Sequence, residues 1–515
     1  MIGARLRCAG CQARLPWRHP DPWRCPQAGL SRPPSQDHDH DHDRDRDIDH
    51  LLQPQIDAPL SQDLDDACDE PLPFVRFRRR LYAYHRARAA GFSDEDFVAL
   101  LRRLDAQIAA VESRGFRSTP LAEAQALAQM LGLPSGSRLW CKDETGNVSG
   151  SHKGRHLFGL LIEILVDEAL RMGTALGTPP ESPRPLAIAS CGNAALAAAV
   201  LARAVGRRLQ VFIPPDAEPS VQARLQALSA EVTICARPAP SRLATASQHA
   251  AGVDALDGGE PAAGDPTYHA FQAAVAAGAL PFCCQGPDNG LAIEGGQTLI
   301  YELIAALGPR RTRLRHLFVQ VGGGALFSAV ATACAEAVQA GLLPTLPRLY
   351  AVQTQAVAPL ARAYQRLLAQ LAGERPDSLT ASTFPGLAAT YGQPAQRDRV
   401  AQALHWARQH RRQFMSPWSV VGAPHSLARG ILDDETYDWA ATLQGLLNSG
   451  GYPVLVSEAA LAQAQAAARA AGFARVDATG ASGLAGLLTL TPDQAFSSTL
   501  RDGDDVAVLL TGAER

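Results

Sequence analysis

Short apolar segments, several of them ending in small residues and followed by a helical pattern, recur along this chain from about residue 71 onward. No other feature narrows the fold as much. Segments 185–190, 209–214, 317–321, 348–353, 453–457 and 506–510 read as strands, while Leu157, Leu160, Leu161, Ile164 and Leu165 mark one face of a helix. Alternation of this kind predicts helices packed on parallel sheets. At 515 residues the chain is long enough for two or three domains. It shows no fixed-period repeat that would make it a solenoid.

Composition excludes several classes of function. The formal net charge is −3 and the hydrophobic fraction 46%, so neither a general affinity for nucleic acid nor one for anionic membranes is expected. No apolar run reaches the length of a membrane span, and the first residues, Met1 to Cys8, lack the apolar core of a secretory signal. Ten cysteines scattered over this length do not make a disulfide scaffold, which predicts a reducing cytoplasm.

Residues 1–70 differ from the rest. Cys8-x-x-Cys11 followed by Trp23-Arg24-Cys25-Pro26 reads like a zinc ribbon, but Ala28 stands where a fourth cysteine belongs, with His19 as a substitute. The expectation is a degenerate ribbon without metal. Residues 37–50 alternate Asp with His, Arg or Ile, a pattern that cannot bury an apolar face and predicts a solvated linker. From about Pro71 the composition becomes globular, and residues 71–515 are expected to form the main body of the chain.

Chemistry is constrained by the scarcity of amines. Lys142 and Lys153 are the only lysines among 48 basic residues. Arginine stays protonated, whereas a desolvated lysine can attack a carbonyl. Lys153 sits among small and polar residues, Gly146 to Arg155, beside a helix start. Three strand-to-helix junctions complete the pattern. The first is Ser190-Cys191-Gly192-Asn193-Ala194-Ala195, where Gly192 permits a turn and Asn193 can cap a helix. At the second, Gly322-Gly323-Gly324-Ala325, successive backbone N–H groups at a helix start can cradle a phosphate. The third places Thr511 at the C-terminal end of a strand, where open α/β sheets bind ligands.

Together these segments resemble the tryptophan-synthase-β superfamily of pyridoxal-phosphate enzymes, fold type II, from about residue 110 onward, and threonine synthase most among its branches. Asn147-Val-Ser149-Gly150-Ser151-His152-Lys153-Gly154-Arg155 is similar to the family's Schiff-base segment, and Cys191 to Ala195 to its Ser-Gly-Asn-Ala-Ala turn. Glu294 to Thr298, Val352 to Leu360 and Val476 to Gly486 match further segments in the family's order. The resemblance implies an α/β fold of two three-layer αβα domains with parallel or mixed sheets, the smaller and mobile one including about residues 157–300. It also implies a homodimer and an amino-acid substrate.

For individual residues it implies that Lys153 binds the cofactor, pyridoxal 5'-phosphate, and later moves the α-proton. Asn193 bonds the cofactor's phenolic oxygen, Gly322, Gly323, Gly324 and Ala325 hold its phosphate, and Thr511 faces its pyridine nitrogen. Ser151 positions substrate or relays protons, or simply caps a helix. A hydroxyl at the pyridine nitrogen suits β- and γ-elimination or replacement better than transamination. The implied reaction is that of threonine synthase, O-phosphohomoserine to threonine and phosphate. His152 and Gly154 depart from that branch, and the Gly-Gly-Gly-Ala-Leu loop is closer to ammonia-lyases. An ammonia-lyase acting on serine, threonine or diaminopropionate, a β-replacement synthase, and a cofactor-binding regulator are the alternatives.

Overall fold

Each of the six expected strands forms, and each pairs in parallel with its neighbours. The computed structural model describes residues 3–19, 21–28, 47–57, 60, 70–236, 264–415 and 424–514. A three-stranded N-terminal sheet consists of β1 (Ala4–Cys8), β2 (Arg14–Leu15) and β3 (Leu52–Ile56). The later strands are β4 (Leu121–Glu123), β5 (Arg138–Asp143), β6 (Leu186–Ala189), β7 (Leu209–Ile213), β8 (Glu231–Ile234), β9 (Leu280–Pro281), β10 (Leu314–Gln320), β11 (Arg348–Thr354), β12 (Pro453–Val456) and β13 (Asp505–Leu510). They form a six-stranded sheet in the order β12-β11-β10-β13-β5-β4 and a four-stranded sheet in the order β8-β7-β6-β9. Only β4 runs antiparallel within the two larger sheets.

Helices cover these sheets, and two buried ones set the position of Lys153. The helix Lys153–Met172 carries the expected apolar face, with Leu157, Leu160, Leu161, Ile164 and Leu165 all buried. It crosses the helix Ala292–Leu307 so closely that a Cβ on Gly295 would lie 2.0 Å from the Arg155 carbonyl oxygen, and one on Gly159 would lie 3.1 Å from Gly295. Only glycine allows that approach. The Glu294-to-Thr298 segment therefore packs the lysine helix rather than lining the site, and Glu294 accepts the backbone N–H of Tyr82 at 3.0 Å.

The N-terminal segment, expected as a degenerate ribbon and a solvated linker, contributes to the core instead. Leu6, Cys8, Leu15, Trp23, Cys25 and Leu52 are buried in one apolar cluster with the helices around the four-stranded sheet. The cause is pairing across the acidic tract: β1 and β3 are antiparallel, with Ala4 opposite Ile56 and Cys8 opposite Leu52. Most of the tract, residues 37–46, lies outside the described residues. Its last four residues, Asp47 to His50, run along the main body, where Asp49 pairs with Arg408 at 2.9 Å.

Candidate active site

Parallel strands point their C-terminal ends the same way, and three of those ends converge with the lysine loop. The loop from Asn147 to His152 turns through left-handed conformations at Ser149 (φ 58°) and Gly150 (φ 69°) before the helix begins at Lys153. It is stitched to the end of β13. His152 donates its backbone N–H to the Thr511 carbonyl at 3.1 Å, Ala513 donates to Gly150 at 2.9 Å, and Ser151 bridges to Gly512. Across this seam stands Asn193, first residue of the helix Asn193–Ala204, with Nδ2 only 2.9 Å from where a Gly512 Cβ would be. Lys153, Ser151, Asn193 and Thr511 are thus brought together.

The glycine loop follows β10 and reaches the same place through a segment the sequence reading missed. A Cβ on Gly322 would lie 2.2 Å from Asp433 Oδ2, and one on Gly323 would lie 3.0 Å from the Tyr437 ring. Gly324 has φ +94° and packs against Thr436 and Asp438. Burial raises the Asp433 carboxyl from 3.8 to about 6, opposed by the Lys153 charge and the Gly323 N–H. Asp438 is likewise raised to about 7 by burial. Burial first, and the nearby Asp216, Asp433 and Asp265 carboxylates next, hold the Cys191 thiol near 11. The cleft around Lys153 is therefore acidic.

Both histidines beside Lys153 are neutral. Burial and the lysine charge push His152 well below its usual value and His156 to about 3. His156 Nδ1 bonds the Ala292 carbonyl at 2.7 Å, a packing role. Cys284, left unassigned by the sequence, is buried within reach of the Lys153 charge, and Cys283 is buried beside it.

The residues fit pyridoxal phosphate on grounds internal to the structure. Asn193 Oδ1 and Ser151 Oγ are buried without a hydrogen-bond partner among the described residues. Leaving such an atom unmet costs about 1–3 kcal/mol; the Ser151 hydroxyl can donate to or accept from a bound group, and exchange of the Asn193 amide oxygen and nitrogen by a flip would turn an N–H toward one. The glycine loop already brings a backbone N–H, that of Gly323, to a side-chain oxygen of Asp433, the kind of contact a phosphate oxygen would take. Thr511 is 1% exposed, and its hydroxyl accepts from the Gln320 amide.

Lys142 has a different setting. Its ammonium donates to Glu302 and to the Thr119 carbonyl, both at 2.6 Å, in a cluster closed by Arg155 and Glu144. It is wholly buried on β5 and ion-paired.

Residues 112–512 match the family profile described as pyridoxal-phosphate dependent enzyme. Comparison with curated protein sequences gives no match. Among solved structures the fold is similar to maize serine racemase, with TM-score 0.51 and 16% identity over 81% of this chain and 93% of that one. It is also similar to diaminopropionate ammonia lyase from Escherichia coli, with TM-score 0.52 and 14% identity over 82% of this chain and 90% of that one.

Proposed function

This chain belongs to the pyridoxal-phosphate-dependent enzymes, and from that premise we propose that it is a lyase removing a neutral or cationic β-substituent from an α-amino acid, as an ammonia-lyase does. The observation that carries this reading is the acidic cleft. Asp433 touches the glycine loop and acts on Lys153, while Asp216 and Asp265 join it in acting on Cys191. A substrate with a hydroxyl or ammonium at its β-carbon suits such a lining, whereas a second phosphate, lacking the glycine loop's N–H donors to offset the carboxylates, would be repelled by it.

The cofactor supplies the electron sink that stabilises negative charge at the substrate's α-carbon. Lys153 is the residue that would hold it and then take the α-proton on Nζ. Asn193 would donate Nδ2–H to the cofactor's phenolic oxygen, and Gly322, Gly323, Gly324 and Ala325 would give backbone donors to its phosphate. Thr511 would place a hydroxyl at the pyridine nitrogen. Ser151, with a buried unpartnered hydroxyl beside the lysine loop, would pass a proton to a departing hydroxyl, which leaves as water, whereas a β-ammonium needs none and leaves as ammonia.

The threonine synthase reaction is the second reading, favoured by the order of motifs around Lys153 and Asn193. One experiment separates the two. Purified enzyme is offered serine, threonine, 2,3-diaminopropionate and O-phosphohomoserine, with 2-oxo acid, ammonia and phosphate measured. Oxo acid and ammonia from one of the first three, with no phosphate from the last, is the expected result. Threonine and free phosphate from O-phosphohomoserine would overturn the proposal.

A further inference from the structure

We propose that Cys8, Cys11, Cys25 and His50 form a tetrahedral zinc site that fastens residues 47–56 to the N-terminal sheet. The sequence reading lacked a fourth ligand and offered His19, but His19 bonds the Asp21 carbonyl through Nδ1 at 3.1 Å. His50, at the far end of the acidic tract, takes the place instead. Its ligand atom and the three sulfurs all lie within 4.8 Å of one another.

The spacing is that of a coordination shell. Cys8 Sγ is 3.6 Å from His50 Nδ1, and Cys11 Sγ is 3.6 Å from Cys25 Sγ. Zinc bonds of about 2.3 Å to sulfur and about 2.0–2.1 Å to nitrogen give tetrahedral edges of about 3.6 Å between S and N and about 3.8 Å between sulfurs. The S–N edge falls at that length and the S–S edge within about 0.2 Å of it, and all three cysteines are free thiols. Three thiolates and an imidazole select zinc over hard cations such as magnesium, and the thiol protons leave to solvent on binding.

The backbone is built for this closure. Gln12 adopts φ 65° and donates its N–H to the Cys8 carbonyl at 3.0 Å, which turns Cys11 back toward Cys8. A Cβ on Gly10 would lie 2.3 Å from the Asp49 carbonyl oxygen, so glycine lets the segment carrying His50, just ahead of β3, lie against the knuckle. The same segment meets the main body. Asp49 pairs with Arg408, and the Leu52 carbonyl comes within 1.8 Å of where a Gly290 Cβ would be. Asp49 and His50 also wall a cleft whose other side includes Asp265 and Tyr437. Metal at the knuckle thereby holds one wall beside the acidic residues of the active site.

The test uses the full chain, expressed without a histidine tag. Elemental analysis is expected to give one zinc per chain. Cobalt exchanged for it should show thiolate-to-metal charge transfer with intense tetrahedral visible bands. Cys11→Ser should lose the metal, and His50→Cys should keep it with an altered cobalt spectrum, which separates ligation from folding. Replacing His38, His40 and His42 by Asn should leave zinc unchanged. Zinc well below one equivalent after supplementation, no cobalt–thiolate band, or metal that vanishes with those three histidines would each overturn the proposal.

Discussion

Replacing Lys142 by Met tests whether the second lysine is structural. Its ammonium lies 2.6 Å from Glu302 Oε2, where unit charges at an effective dielectric of 20 attract by about 6 kcal/mol. Desolvating the ammonium consumes several kcal/mol of that, and burial accordingly lowers the lysine against the pull of Glu302. What remains on removal is an unbalanced cluster. Lys142 and Arg155 now offset Glu144 and Glu302; the variant leaves one buried guanidinium facing two carboxylates and the Thr119 carbonyl without its donor. Breaking a buried pair in this way costs about 3–5 kcal/mol. Urea unfolding of the cofactor-free variant should show a loss in that range, while the Lys142→Met, Glu302→Gln double variant should recover ~1–2 kcal/mol because neutrality returns. A loss below ~1 kcal/mol for the single variant would refute the reasoning.

Borohydride reduction should fix the cofactor to Lys153, and peptide mapping that found it on Lys142, or nowhere, would remove the basis for the proposed mechanism. Gly323→Asp adds a carboxylate where a Cβ already lies 3.0 Å from Tyr437, so cofactor affinity should fall at least ~10-fold with the far-ultraviolet spectrum preserved; unchanged affinity by fluorescence titration would make the loop a mere turn. Asp433 is held near 6 rather than 3.8, so its protonated form is favoured in the fold and its ionisation costs ~3 kcal/mol above that pH. Cofactor-free enzyme should lose stability as pH rises from about 4 through 6, and Asp433→Asn should flatten that slope; a wild-type and variant that run parallel in thermal melts across that same range, from about pH 4 to 7, would contradict the assignment.

Sequence patterns of local origin were the legible ones. The six strands β6, β7, β10, β11, β12 and β13 show as apolar runs because both of their faces are buried, and the residues placed at the lysine loop, at Asn193 and at Thr511 meet because parallel strands end on one side. β5 was missed since Arg138 and Lys142 interrupt its apolar character, and Lys142 is tolerated there only through Glu302, 160 positions away. The acidic lining was missed for a related reason. Asp433 and Asp438 sit in a polar stretch that reads as solvent-facing, and nothing local shows that Gly322 and Gly324 will bury them. The pairing of β1 with β3 spans more than forty residues of sequence, so His50 looked like one more histidine of a repeating tract.

The order of strands has a consequence for biosynthesis. β13 lies between β10 and β5 in the middle of the six-stranded sheet, yet it is the latest strand in the sequence, and Thr511 follows it directly. Until residues 505–510 leave the ribosome, β10 and β5 each present an unpaired edge of buried, apolar character, the kind of surface that recruits other chains. From residue 143 onward β5, and from residue 320 onward β10, must therefore wait with an open edge until β13 is made, and among the described strands the seam that joins Thr511 to the lysine loop closes last. Expression should accordingly depend on chaperone supply, and a nonsense mutation ahead of codon 505 should yield aggregated rather than merely inactive product.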